Sequence, residues 1–224
     1  MKKRIGILLP TRQRPVDFKI FADSWRKTTE GYSNVIVRID NDDYSYDEIR
    51  KEYPEFIYEI GDRNTALGIL NELAVKYADY YDYLGFMEDD CNYNTEGWET
   101  IFINKLDELG SNSIVWGNDL INGESIIGLP IMNSNIVKKL GYMSPPELKY
   151  LWPDHFWKKL GTELNSLCYF PDVIIEHRHY STGKREKDSI SEIIDRVGAQ
   201  EDTNAFNNIY MSRFKDDVEK LRNA

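Results

Sequence analysis

The sequence predicts an α/β protein with a mostly parallel central sheet flanked by helices and a C-terminal helical extension. Three observations predict it. Short apolar runs of strand length, at residues 4–9, 34–39, 56–60 and from 83 onwards, alternate with longer stretches of helical spacing, the pattern of βα units. The strand-like runs stop abruptly in acid clusters or arginine-bearing loops, which a parallel sheet brings to one edge. Hydrophobic residues make up 41% and aromatics 13% of the 224 residues, enough for a sizeable core.

Residues 4–9 read as a buried parallel strand, bounded by charge and proline. Residues 10–15, Pro-Thr-Arg-Gln-Arg-Pro, form a loop, and residues 16–28 have helical spacing through Phe18, Phe21, Ala22 and Trp25. Arg12 and Arg14 are either solvated loop charges or donors to a phosphate at the sheet edge. The second strand, 34–39, ends in Asp40-Asn41-Asp42-Asp43. A short helix at 46–52 precedes Pro54, and a third strand at 56–60 leads to Gly61-Asp62-Arg63-Asn64. Residues 65–80 form a helix, with Leu67, Leu70, Asn71, Ala74, Val75 and Ala78 at helical intervals.

The fourth strand begins at Tyr83 and runs into Glu88-Asp89-Asp90. Three adjacent carboxylates repel one another unless a cation or hydrogen-bond donors offset them, and hard divalent cations prefer oxygen ligands. The triplet is thus a metal site or a solvated acidic turn. There is no Gly-x-Gly-x-x-Gly after the first strand and no Gly-Lys-Ser/Thr loop, which argues against dinucleotide-binding and P-loop readings.

In the second half, residues 97–109 read as a helix, 113–116 as a short strand and 126–132 as another strand. Asn133-Ser134-Asn135 caps a helix at 136–140 that Gly141 closes. A helix opens at Trp152-Pro153-Asp154-His155 and ends at Gly161. Residues 166–171 and 173–175 are strand-like and lead into Glu176-His177-Arg178-His179, with both histidines on one face if the strand continues. Residues 183–187 form a basic loop, and helices at 189–197 and 203–221 follow, joined by polar residues.

A formal net charge of -10 argues against nonspecific duplex binding through a broad basic face. Cys91 and Cys168 give neither a disulfide framework nor zinc spacing. Met1-Lys2-Lys3-Arg4 is followed by only a short apolar run before Pro10, too short for a signal peptide or membrane span. A cytoplasmic protein is expected.

These landmarks, in order from residue 5 to residue 180, resemble the Rossmann-like GT-A fold glycosyltransferases, especially the family-2 type that uses nucleotide-diphosphate sugars. Pro10-Thr11-Arg12 looks like the opening nucleotide-contacting loop, Asp40-Asn41-Asp42 like the acidic position that recognises the base, and Arg63 to Asn71 like the loop and helix over the nucleotide. Phe86-Met87-Glu88-Asp89-Asp90 resembles the metal-binding Asp-x-Asp signature, with Glu88 in place of the first Asp. Trp152-Pro153-Asp154-His155 is similar to the motif that supplies the base in inverting members, and His177 to the late histidine of the metal site.

The resemblance implies a glycosyltransferase domain at 1–183, with a nucleotide-binding half at about 1–95 and an acceptor half at about 96–183, and an extension at 184–224. It implies a hexosyltransferase-like activity that moves a sugar from a UDP-linked donor to a hydroxyl acceptor, a saccharide in preference to modified nucleic acid. Pro10, Thr11, Arg12, Arg14, Asp40, Asp42, Arg63, Asn71, Glu88 and Asp89 would contact nucleotide or sugar. Asp90 and His177 would hold Mn2+ or Mg2+, His179 being the lesser candidate, and Asp154 would be the base, with His155 its rival, while Arg178, Lys184 and Arg185 either close over the diphosphate or are solvated loop charges. The alternatives are a sugar nucleotidyltransferase and a non-catalytic sugar- or nucleotide-binding module. The first normally has a glycine-rich loop after strand one, which Pro10 to Pro15 lacks.

Overall fold

A computed structural model describes residues 4–223. The leader reading at residues 1–3 and the final residue of the extension lie outside the described residues. Seven elements form the first half: β1 (Ile5–Thr11), α1 (Pro15–Thr28), β2 (Ser33–Asp40), α2 (Asp47–Glu52), β3 (Ile57–Gly61), α3 (Ala66–Tyr77) and β4 (Tyr83–Phe86). This is the expected βαβαβαβ order, and β3, β2, β1 and β4 lie side by side, all parallel.

Local chemistry explains the helices. Pro15 opens α1, where its missing N–H costs nothing, with Asp17 in the first turn and Arg26 and Lys27 in the last to match the helix dipole. The Thr65 hydroxyl accepts from the Gly68 N–H at 3.2 Å and caps α3. Gly85 in β4 has a packing role: a Cβ there would strike the Ile131 side chain.

The second half adds β5 (Cys91–Tyr93), α4 (Trp98–Leu109), β6 (Ile114–Asn118), β7 (Ile131–Asn133), α5 (Ser134–Leu140), α6 (Pro153–Leu164), β8 (Leu167–His177), α7 (Ser189–Ser212) and α8 (Phe214–Arg222). The eight strands run in the order β3-β2-β1-β4-β7-β6-β8-β5. β7 is antiparallel to both β4 and β6, β8 runs parallel to β6, and β5 runs antiparallel to β8.

Four boundaries differ from the sequence reading. The strand expected at 126–132 shrinks to Ile131–Asn133, although Ile127 and Leu129 are buried. Asp119 gathers the preceding turn instead, accepting from the N–H groups of Ile121, Asn122 and Gly123. The two segments at 166–171 and 173–175 are one strand, because the register with β6 shifts between Gly117 and Asn118 and lets Pro171 bulge from the ladder. α6 continues past Gly161, which is a packing glycine: a Cβ there would collide with Leu167. The C-terminal helices break at Arg213, not at the polar stretch near residue 200. Asp202, in that stretch, turns inward and accepts from the N–H groups of Lys149, Tyr150 and Leu151 at 3.0, 2.8 and 2.8 Å.

The alternation of β1 divides the core. Ile5, Ile7 and Leu9 face a cluster that includes Phe18 and Phe21 of α1 and Trp98 and Phe102 of α4. Leu8 faces the opposite cluster, which holds Leu70 of α3, Phe156 of α6, and Phe206, Phe214 and Val218 of the last two helices. α7 and α8 are therefore integral to the packing. Among the described residues, no helix is long and apolar enough to cross a membrane.

Candidate functional site

Because β1, β2 and β4 are parallel, their carboxyl ends meet at one edge. The antiparallel β5–β8 pair places His177 opposite Cys91, so the end of β8 reaches the same edge. A cavity of about 300 Å³ opens there, roofed by the first turns of α7. Pro10, Thr11, Arg12, Arg14, Asp40 and Arg63 line one side. Glu88, Asp89, Asp90, Asp154 and His177 also line it, from three separate parts of the chain.

The acid triplet divides its directions. Asp90 is 1% exposed; its Oδ2 accepts from Arg185 Nε at 2.9 Å, while its Oδ1 has no hydrogen-bond partner. That free oxygen lies 3.3 Å from His177 Nε2, which is also buried without a partner. Glu88 Oε2 lies 3.5 Å from the same nitrogen. Asp89 faces β1, accepting from Thr11 Oγ1 at 2.7 Å and Arg14 Nη1 at 3.2 Å.

The electrostatics follow from this packing. Burial opposes ionisation of Asp90, but His177 and Arg185 outweigh it and hold the carboxyl well below its usual range. Burial likewise pulls His177 down, yet the carboxylates of Glu88 and Asp90 raise it to about 9. The Cys91 thiol lies with Asp90 and His177, their ligand atoms all within 4.8 Å of one another. Burial pushes this thiol well up.

At the ends of β1 and β2, Arg12 bonds Asp40 Oδ2 at 2.8 Å and grips Asp42 through two nitrogens at 2.5 and 3.0 Å. Asp42 lies outside the cavity lining and acts on it through Arg12. Asp40 is 3% exposed and its Oδ1 makes no hydrogen bond, with Arg38 Nη1 3.8 Å away. Asn71 is also absent from the lining: its amide bonds the N–H groups of Met143 and Ser144 and the Ser144 carbonyl, tying α3 to the chain before α6.

Asp154 is the second residue of α6, whose cap is Trp152 with φ of 74°, an uncommon conformation for a bulky side chain. Trp152 stacks on Phe206 at 5.3 Å and its Nε1–H donates to Thr203 Oγ1, which holds that turn. Asp154 Oδ1 accepts from the His155 N–H at 2.8 Å. His155 is absent from the cavity lining; it packs against both Trp152 and Phe206, with its Nδ1 3.1 Å from Asp154 Oδ1. His179 lines the cavity, with its Nδ1 engaged by Ser181 Oγ at 2.7 Å.

Sequence reasoning placed basic residues over this edge but missed the part played by Asp188 and α7. Asp188 caps α7 by accepting from the Ser191 N–H, and also accepts from Arg14 Nε at 2.7 Å and Arg185 Nη1 at 3.2 Å. The strong pairing with Arg14 outweighs burial and holds the Asp188 carboxyl below its usual range. Ile190, Ile193 and Ile194 turn into the cavity from the same helix. The available signal was the Asp188-x-x-Ser191 cap following a basic loop.

No family model matches the sequence, and no curated protein matches it. Solved structures do match. The crystal structure of Staphylococcus aureus TarS aligns with 77% of this chain and 36% of its own, at 16% identity and a TM-score of 0.58. Residues 1–349 of TarS in complex with UDP give 14% identity, 77% and 59% coverage and a TM-score of 0.56. The mannosyltransferase PcManGT from Pyrobaculum calidifontis, in complex with GDP-Man and Mn2+, aligns with 99% of this chain and 69% of its own, at 13% identity and a TM-score of 0.63. The chain thus spans between about a third and three fifths of the TarS structures it matches. At these identities the likeness establishes the fold, which is that of the GT-A-type glycosyltransferases, as the order of landmarks predicts.

Proposed function

We propose that the chain is a metal-dependent, inverting glycosyltransferase that moves a sugar from a nucleoside-diphosphate donor, UDP-linked, to a hydroxyl acceptor. The observation that carries this reading is the buried facing pair Asp90 Oδ1 and His177 Nε2, 3.3 Å apart at the carboxyl edge of the sheet, an ion pair in which neither atom makes a hydrogen bond. In the metal-free protein the protonated imidazole offsets the carboxylate there, and a divalent cation that displaces this proton would find a carboxylate oxygen and an imidazole nitrogen already facing each other. One carboxylate oxygen and one imidazole nitrogen fit Mn2+ better than Mg2+. When bound, the cation would offset the negative charge of the leaving diphosphate. The neighbouring fold containing GDP-Man and Mn2+ supports such a donor site.

The chain's own residues do the rest. Asp40, with its free Oδ1, accepts from a ring N–H of the base, and Arg12 is held beside it by Asp42. Glu88 lies across the cavity edge from His177 and accepts from a ribose or sugar hydroxyl. Asp154, carried on the first turn of α6, takes the proton of the acceptor hydroxyl as that oxygen bonds the anomeric carbon. The bond from that carbon to the diphosphate oxygen breaks on the opposite side, so configuration inverts. A thermal-shift screen of UDP- and GDP-sugars with Mn2+ tests the donor assignment. Ligand linkage raises the melting temperature for the true donor, and no shift with any nucleotide sugar refutes it.

A further inference from the structure

We propose that Arg185 is a ligand of the donor diphosphate, and that before the donor arrives Asp90 holds it, so that cation and diphosphate enter together. This rests on the donor reading above. The Arg185 side chain is 8% exposed and fully committed: Nε to Asp90 Oδ2 at 2.9 Å, Nη1 to Asp188 Oδ2 at 3.2 Å and Nη2 to Ser191 Oγ at 3.0 Å. It therefore occupies one of the two oxygens of the carboxylate best placed to bind a cation. The other oxygen is the unpartnered one that faces His177.

The neighbouring charges make the two occupants competitors. Arg14 is bound in the same network, bridging Asp89 and Asp188. A divalent cation that joins Asp90 while Arg185 remains there meets a fixed positive charge on the same carboxylate. A diphosphate removes the conflict, because its oxygens offer the guanidinium the planar, forked partner that Asp90 and Asp188 now provide. Other cations of this segment are engaged elsewhere: Arg178 with Asp17, Lys184 with Glu176 and Lys187 with Asp195. Of these four, Arg185 alone lines the cavity.

The exchange predicts a gain of function in the simplest assay. Mn2+ is titrated without nucleotide into wild type and Arg185→Gln, reading free Mn2+ by electron paramagnetic resonance, and the titrations are repeated with UDP and with GDP. Arg185→Gln binds Mn2+ alone about tenfold more tightly and the nucleotide–Mn2+ pair about tenfold more weakly, within the usual span of coupling between sites. The factor by which nucleotide and Mn2+ strengthen each other also falls, which a merely structural role would not produce. Arg185→Lys keeps the charge but loses the fork, shifts both affinities in the same directions by less, and carries the test if the Gln variant does not fold. Unchanged Mn2+ affinity in the variants, with nucleotide binding intact in wild type, overturns this proposal and leaves the donor reading standing. Wild-type protein that binds neither UDP nor GDP overturns both.

Discussion

His177 Nε2 and Asp90 Oδ1 face each other at 3.3 Å, each buried and neither with a hydrogen-bond partner. The β5–β8 pairing brings them together across 87 residues of sequence, by setting His177 opposite Cys91. The adjacent oxygen of Asp90 is taken by Arg185. The predictions below follow from this arrangement and from the interactions that support it.

In the proposed site, metal and proton compete for His177. Glu88 and Asp90 outweigh burial and raise its pKa to about 9, from an ordinary value near 6.5. In the metal-free protein the protonated ring thus contributes stability that is fully present below about pH 6.5 and is lost as pH rises through 9. A cation takes only the neutral ring, so Mn2+ affinity moves the opposite way, rising by about tenfold per pH unit across that window. Calorimetric titration in buffers of different ionisation heat should show close to one proton released per Mn2+ at pH 7. Affinity independent of pH would remove His177 from the site.

Asp154→Asn keeps shape and removes the base proposed above. With the acceptor saturating, kcat should fall by roughly 10²- to 10⁴-fold, the usual contribution of a positioned base, while Mn2+-dependent nucleotide binding stays within about twofold. Steady-state kinetics with a matched nucleotide titration separates the two. A variant that turns over at the wild-type rate would reassign the base.

Asp202→Ala should destabilise the whole chain without touching the cation. The carboxylate satisfies the N–H groups of Lys149, Tyr150 and Leu151, and its loss leaves these donors without their partner. The expected cost is about 3 kcal/mol, measured as a shift in the denaturant midpoint at unchanged slope. A loss below about 0.5 kcal/mol would show that water satisfies the loop equally well.

Asp40→Asn tests base recognition. It keeps the size of the side chain but replaces a carboxylate oxygen with an amide donor, and Asp40 Oδ1 is an acceptor that makes no hydrogen bond, with Arg38 Nη1 3.8 Å away. Donor KM should rise about tenfold with kcat little changed, the signature of lost uniform binding. Equal KM for both proteins would place the base elsewhere.

Much of the parallel half was legible because each signal is local. Apolar runs of 4–6 residues ending in Asp40 or Glu88, separated by helices of regular spacing, imply the βα succession and a mostly parallel sheet whose carboxyl edge gathers the acids, although the order of the strands in the sheet comes only from the structure. The second half was less legible, since its determinants are contacts distant in sequence. The Pro171 bulge depends on a register shift against β6, the span of α6 on Gly161 meeting Leu167, and the continuity of α7 on Asp202 reaching the 149–151 backbone. In the site, the acids and His177 could be named from strand ends, but the grip of Arg185 on Asp90 and of Arg14 on Asp188 could not. A basic loop and a helix cap carry no sign of what they fold onto. Asn71 shows the converse error: its place on α3 suggested a nucleotide contact, while its amide is spent on the backbone of residues 143 and 144.

The central claim, that this edge uses a divalent cation on Asp90 and His177 to activate a nucleotide sugar, is tested most directly by nucleoside-diphosphate release. The donor found by thermal shift is incubated with wild type, Asp90→Ala and His177→Ala, each with Mn2+ and with chelator. The account predicts release by wild type that requires Mn2+ and falls at least about a hundredfold in either variant. Release that persists in chelator, or that survives loss of Asp90, would contradict it.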